Sequence, residues 1–155
     1  MNLWIEIARD DLLAVMKSVD MIIINDGEVR MLAEDDNLIR ASRQLIGMVG
    51  CQTLIIKKGE NGVLAFHGDD MIALPAYPTE NVVDPTGCGD SFAGTIAACL
   101  AANNGPISKS ELRDALIRAT VTASFTLESF GTSGLIGLTL EKFKLRLAQF
   151  EEILS

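Results

Sequence analysis

Basic and aromatic residues are scarce in this 155-residue chain. Thirteen lysines and arginines face 21 aspartates and glutamates, a formal net charge of -8. Nucleic acid and anionic membrane both need basic patches, so the balance argues against either as a partner. Any phosphate would have to be held by local N–H groups and a few lysines. Aromatics are only 5% of residues while the apolar share is 48%, which predicts an aliphatic core of Ile, Leu, Val and Ala. No apolar run is long and uniform enough to span a bilayer, and no signal peptide precedes the acidic residues near the start. The expectation is a soluble, cytoplasmic chain. The single histidine, His67, sits between two strand-like stretches beside Gly68-Asp69-Asp70 and reads as an exposed turn residue without a metal or catalytic role. Cys51, Cys88 and Cys99 are odd in number and lack metal-ligand spacing, which fits reduced thiols.

What the chain does have is concentrated in Asp84-Pro85-Thr86-Gly87-Cys88-Gly89-Asp90-Ser91-Phe92-Ala93-Gly94. Val82-Val83 reads as the end of a short extended segment, and Phe92 to Ala102 as an Ala-rich helix carrying Ile96 and Leu100. Gly87 and Gly89 permit a tight turn that brings bare N–H groups close to a ligand. The helix N-terminus adds orphan donors and partial positive charge, a suitable seat for phosphate. Asp90 falls in the first turn beside such a phosphate, where a carboxylate can accept the proton of an attacking hydroxyl. The spacing equally fits plain helix capping, since an acidic first turn and a preceding glycine are common there. A thiol at a helix start can have a lowered pKa, so Cys88 is expected to alkylate before Cys51 and Cys99.

The rest of the chain alternates. Asp10 to Val19 has helical apolar spacing, and Met21 to Ile24 is a continuous apolar run suited to a buried parallel strand. Glu28 to Leu32 and Asn37 to Val49 read as helices. Strands follow near Leu54–Lys57, Val63–Phe66 and Met71–Leu74, the first two forming a hairpin around a glycine-containing turn. Pro75-Ala76-Tyr77-Pro78 is an extended connection. Ser108 to Phe130 reads as a helix capped by Ser108 with Glu111 three residues on, and Thr139 to Leu154 as the last helix. This order predicts one α/β domain over residues 1–155, with a mostly parallel sheet and an edge hairpin. No repeat, low-complexity tract or linker interrupts it.

Asp84 to Gly94 resembles, throughout its length, the carboxy-terminal signature of the ribokinase-like (phosphofructokinase-B type) sugar kinases. The resemblance implies a three-layer α/β/α fold and ATP-dependent phosphorylation of a hydroxyl on a sugar, nucleoside or related small molecule. It implies Asp90 as general base, with Gly87, Cys88 and Gly89 as the anion hole for the transferring phosphate. Asn25-Asp26-Gly27-Glu28, after Met21–Ile24, is similar to the family's Asn-x-x-Glu element, which implies that Asn25 and Glu28 organise magnesium, water and ATP phosphates. Chemically that suits magnesium, which keeps several waters and favours oxygen ligands. By itself the same run reads as a strand-end turn into a helix.

Leu54 to Phe66 resembles a family segment that approaches the nucleotide, with Lys57 and Gly59 nearest. Lys57 is then a point charge near the phosphates, or else a solvated lysine at a strand end. Gly62 serves the turn. Ala119 to Gly131 resembles the small-residue helix that lines the adenine pocket, implying Thr120, Ser124 and Gly131 as nucleotide contacts. Thr120 stands where many relatives carry Asn, and Ser124 replaces a common Ala. Taken singly, Thr120, Thr122, Ser124 and Thr126 read as a helix face packed on a neighbouring helix.

These matches belong to the family's carboxy-terminal half. The Gly-Gly substrate motif and the β-sheet lid of its amino-terminal half are not recognisable, and Asn2-Leu3-Trp4-Ile5 reads as a start in mid-fold. The chain is therefore expected to be truncated and to self-associate through the surface that half would cover. One alternative is a non-catalytic nucleotide-binding fragment with a structural role or no independent one. Another is a vitamin kinase of the same fold, although those as a rule lack the Asn-x-x-Glu form.

Overall fold

Ile22 and Ile24 alternate with half-buried neighbours along Met21–Asn25, strand β1, and turn into the core. The computed structural model describes residues 2–101 and 105–155; Met1 and Ala102, the expected end of the signature helix, lie outside them. Thr53–Lys57, β2, runs parallel to β1, placing Met21 opposite Thr53 and Asn25 opposite Lys57. Val63–His67, β3, returns antiparallel, and Asp70–Leu74, β4, completes the order β1-β2-β3-β4. The sheet is mixed, and the expected hairpin is β2–β3. A 3-10 turn at Gly59–Asn61 joins these two strands, closed by the Lys58 N–H donating to the Gly62 carbonyl at 2.8 Å.

Residues Met1–Ala73 and Leu74–Ser155 form two compact units. In the first, helices α1 (Asn2–Ile7), α2 (Arg9–Met16), α3 (Asp26–Ala33) and α4 (Leu38–Val49) accompany the sheet. Ile5, Met16, Val29, Leu32, Leu45 and Val49 join Ile22, Ile24, Leu54, Ile56, Leu64 and Phe66 in one apolar cluster. At α4 the Asn37 side chain accepts the Arg40 N–H at 3.0 Å, and Gly50 ends the helix with φ of 72°. That left-handed cap costs glycine nothing sterically. Asn2–Ile5 lies in α1. One expectation needs correction. His67 is not an exposed turn residue: it ends β3, half-buried, with Nδ1 2.8 Å from the hydroxyl of its cross-strand partner Thr53.

In the second unit, α5 (Cys88–Ala101) packs along α6 (Lys109–Leu127), while α7 (Ser133–Ile136) and α8 (Leu140–Ile153) pack on α6. Ser108 caps α6 as its sequence predicts. Its hydroxyl accepts the Glu111 N–H at 3.2 Å, and the Glu111 carboxylate accepts the Ser108 N–H at 2.8 Å. The helix stops at Leu127, short of the expected Phe130, because the chain turns at Glu128 towards α7. Val82 and Val83, expected to end a short extended segment, fall in residues 75–85, which have no regular structure. Among the described residues no helix is long and apolar enough to cross a membrane.

Candidate active site

The signature forms a tight turn into α5. The Cys88 N–H donates to the Pro85 carbonyl at 3.2 Å and the Ser91 N–H to the Gly87 carbonyl at 2.9 Å. Gly87 has φ of 84°, and a Cβ there would lie 3.6 Å from the Thr126 methyl. Backbone conformation, rather than crowding, reserves this position for glycine. The first four amides of a helix lack intrahelical acceptors. Those of Cys88 and Ser91 are used by the turn, which leaves the Gly89 and Asp90 N–H groups as donors for an anion. Asp90 is exposed on that first turn. Asp84 accepts the Thr86 N–H at 2.9 Å, and the Thr86 backbone and hydroxyl together hold its carboxyl below the usual range.

The C-terminal turn of α6 braces this turn. The buried Thr126 hydroxyl donates to the Ser91 hydroxyl at 2.9 Å, which in turn donates to the Cys88 carbonyl at 3.1 Å. The Cys88 thiol donates to the Ala123 carbonyl at 3.6 Å. Cys88 departs from the sequence-based expectation of an activated thiol. Burial pushes its pKa up, and the nearby Asp84 carboxylate adds to the effect. Burial raises Cys51 as well. Thr120 and Ser124 are buried in α6, and both hydroxyls donate within the helix, to Leu116 at 2.9 Å and Val121 at 2.7 Å. Gly131 lies exposed in the turn after α6 with φ of 57°.

The first unit groups the other candidates. Asn25 ends β1 and caps α3. Its side chain accepts the Glu28 N–H at 2.8 Å, while its own N–H donates to the Glu28 carboxylate at 3.1 Å. Asn-x-x-Glu is thus a capping box here, and Glu28 is 7% exposed. Lys57 is the register partner of Asn25, and Gly59 opens the turn just beyond β2. Asn25 and Lys57 end the two parallel strands, the side at which open α/β sheets take ligands.

Among the described residues no three acidic, His or Cys side chains cluster as a metal cage. Glu28 with one carboxylate oxygen already engaged fits a hydrated magnesium carried in on phosphates, not an ion enclosed by protein. A cleft of about 400 Å³, lined by Phe125, Glu128, Leu138, Lys142 and Arg146 among others, includes none of the signature residues. The signature turn lies outside that cleft and is the place where the Gly89 and Asp90 N–H groups are open.

A mixed sheet with flanking helices and this glycine-rich helix entry define an α/β protein of the ribokinase-like class. The E. coli candidate ribokinase II solved with ATP and Mg2+ superposes with a TM-score of 0.78 over 96% of this chain and 46% of its own, at 24% identity. The aminoimidazole riboside kinase from Salmonella enterica, solved with aminoimidazole riboside and an ATP analogue, gives 0.76 over 90% and 47%, at 23% identity. Such identities speak to fold alone. The family model of the pfkB carbohydrate kinases matches residues 2–136, and the chain belongs to that family. It is 38% identical over 92 residues to a cytidine kinase from Thermococcus kodakarensis, covering 58% of this chain and 32% of that one. To fructokinase-2 from Oryza sativa it is 32% identical over 110 residues, covering 70% and 32%. The chain spans about a third of the length of these curated relatives.

Proposed function

We propose that the chain is the carboxy-terminal, nucleotide-binding portion of a kinase that transfers the γ-phosphoryl group of ATP to a hydroxyl of a sugar or nucleoside. The observation that carries this reading is an exposed carboxylate, Asp90, in the same first helical turn as open backbone donors. Gly87, Cys88 and Gly89 frame the phosphate. The Gly89 and Asp90 N–H groups meet its developing charge. Asp90 takes the proton of the attacking hydroxyl as the new O–P bond forms and ADP departs. The family resemblance assigns Lys57 and Gly59 to the nucleotide as well; the Thr120 and Ser124 hydroxyls are engaged within α6, so these two residues, with Gly131, shape the nucleotide's seat rather than bond it. Magnesium, when bound, supplies charge neutralisation on the phosphates; Glu28 and Asn25 are the residues that would hold its water shell. A cytoplasmic location and association with further copies of the chain belong to the same proposal.

The share of each relative that the chain spans supports a second reading, a nucleotide-binding fragment without turnover. ADP release with magnesium-ATP and a panel of sugars and nucleosides separates the two. The kinase reading expects acceptor-dependent turnover that Asp90→Asn abolishes, with ATP affinity held within about threefold because only the proton acceptor is lost. Loss of ATP binding in that variant would make Asp90 structural. ATP binding without turnover for any acceptor would establish the fragment.

A further inference from the structure

Arg146, on α8, touches none of the proposed reacting groups, yet it heads a chain of contacts that ends at them. Its guanidinium donates to the Glu128 carboxylate at 2.8 Å and to the Ser124 hydroxyl at 3.0 Å. It stacks 3.7 Å from the Phe125 ring centroid, with Tyr77 at 5.0 Å. The other Glu128 oxygen accepts the Thr79 hydroxyl at 2.7 Å, and the Thr79 oxygen accepts the Asn81 N–H at 3.1 Å. The Val83 and Asp84 N–H groups then both donate to the Leu127 carbonyl, at 3.0 and 3.2 Å. Leu127 is the last residue of α6, so its carbonyl has no acceptor role left inside the helix. An irregular segment is thereby laid along a helix end, and it delivers Asp84 and Gly87 into the turn that carries Asp90.

We propose that Arg146 and Glu128 are positioning residues for phosphoryl transfer. Their ion pair aims the Glu128 carboxylate at Thr79 and so pins residues 79–84, which set where the anion-binding turn begins. Both side chains are less than a fifth exposed, at 18% and 19%, so the pair is shielded from the screening that makes surface pairs weak. The stacked, forked guanidinium has no equivalent in lysine. The role of the pair rests on the kinase reading above, whereas the clasp itself does not.

Hydrogen exchange on the whole chain tests it without needing turnover. Thr79→Val removes the hydroxyl link and leaves the ion pair. It should speed exchange of the Val83 and Asp84 amides about tenfold while the middle of α6 keeps its protection, because only local opening is made easier. Thr79→Ser should restore the wild-type rates, and Arg146→Lys should loosen the same amides. Where the wild type turns over, Thr79→Val should lower kcat about tenfold with KM for ATP within about twofold, a loss of alignment rather than of binding. Unchanged exchange at Val83 and Asp84 overturns the proposal. So does exchange that rises throughout α6 and α8, which would mean general destabilisation, or an unaltered kcat. A wild-type chain that neither binds nor turns over ATP refutes the kinase reading alone, and the exchange rates still decide the clasp.

Discussion

Cys88 sits where two effects pull a thiol in opposite directions. The start of a helix favours the thiolate, but the side chain is packed towards Ala123, and Asp84 lies close by. Burial disfavours the charged form, and a neighbouring carboxylate repels it, so the thiol's pKa rises above its ordinary 9.0. Iodoacetamide at neutral pH should therefore modify Cys88 more slowly in the folded chain than in the urea-unfolded one, as read by mass mapping. Equal rates would show the packing to be too loose to matter. The same shift bears on stability. A folded-state pKa raised above the unfolded value means that the native state holds the proton longer. Its contribution is complete below the unfolded pKa and is lost as pH climbs through the folded one. Urea midpoints should thus decline above pH 9.0, and Cys88→Ser should flatten that decline. A slope identical in wild type and variant would assign it to other groups.

Helix α7 shows what an element needs that its own residues do not announce. At Gly134 a Cβ would fall 2.2 Å from the Phe125 carbonyl oxygen and 2.4 Å from the Ser129 hydroxyl oxygen, so the short helix lies directly on the end of α6. Gly134→Ala must push the two apart, at a cost of about 1–3 kcal/mol. Gly137→Ala, whose Cβ would meet only the Ser133 carbonyl at 3.7 Å, is the control. Equal urea midpoints for the two variants would mean that α7 moves aside freely. Local grammar was legible: Ser108 with Glu111, Asn37 before α4 and the apolar run of β1 each mark their element within a few residues. The glycine-rich turn into α5 was legible for the same reason, being one contiguous stretch from Asp84 to Gly94. Its supports were not. Thr126 reaches Ser91 across 35 residues, Glu128 reaches Thr79 across 49 and Arg146 reaches Glu128 across 18. Spacing rules carry no information at such distances. The irregular path of residues 75–85, read in part as extended, is set by those supports and by the Leu127 carbonyl rather than by the β-branched pair Val82-Val83.

For the molecule as a whole, the balance between charge and apolar surface decides whether copies associate. Leu3, Trp4 and Ile7 occupy one face of α1 and are 61%, 58% and 65% exposed, and Val15 on α2 is 62% exposed. Apolar groups left in water at this density favour association, at roughly 25 cal/mol for each Å² buried. Against this stands a net charge of -8, which keeps copies apart at low ionic strength. Salt reduces the repulsion over a Debye length of about 8 Å at physiological strength and leaves the apolar term intact. Association should therefore strengthen between low and physiological salt, the reverse of what an interface built on opposite charges would do. Trp4 is the single tryptophan and reports on this face directly. Its emission should move to the blue as protein concentration rises, in step with the mass from light scattering. A growing mass with unchanged emission would place the contact elsewhere, for instance at Ile136, which is 83% exposed. A constant monomer mass at micromolar concentration in physiological salt would defeat self-association, and turnover by such a monomer would mean that one copy holds the whole catalytic site.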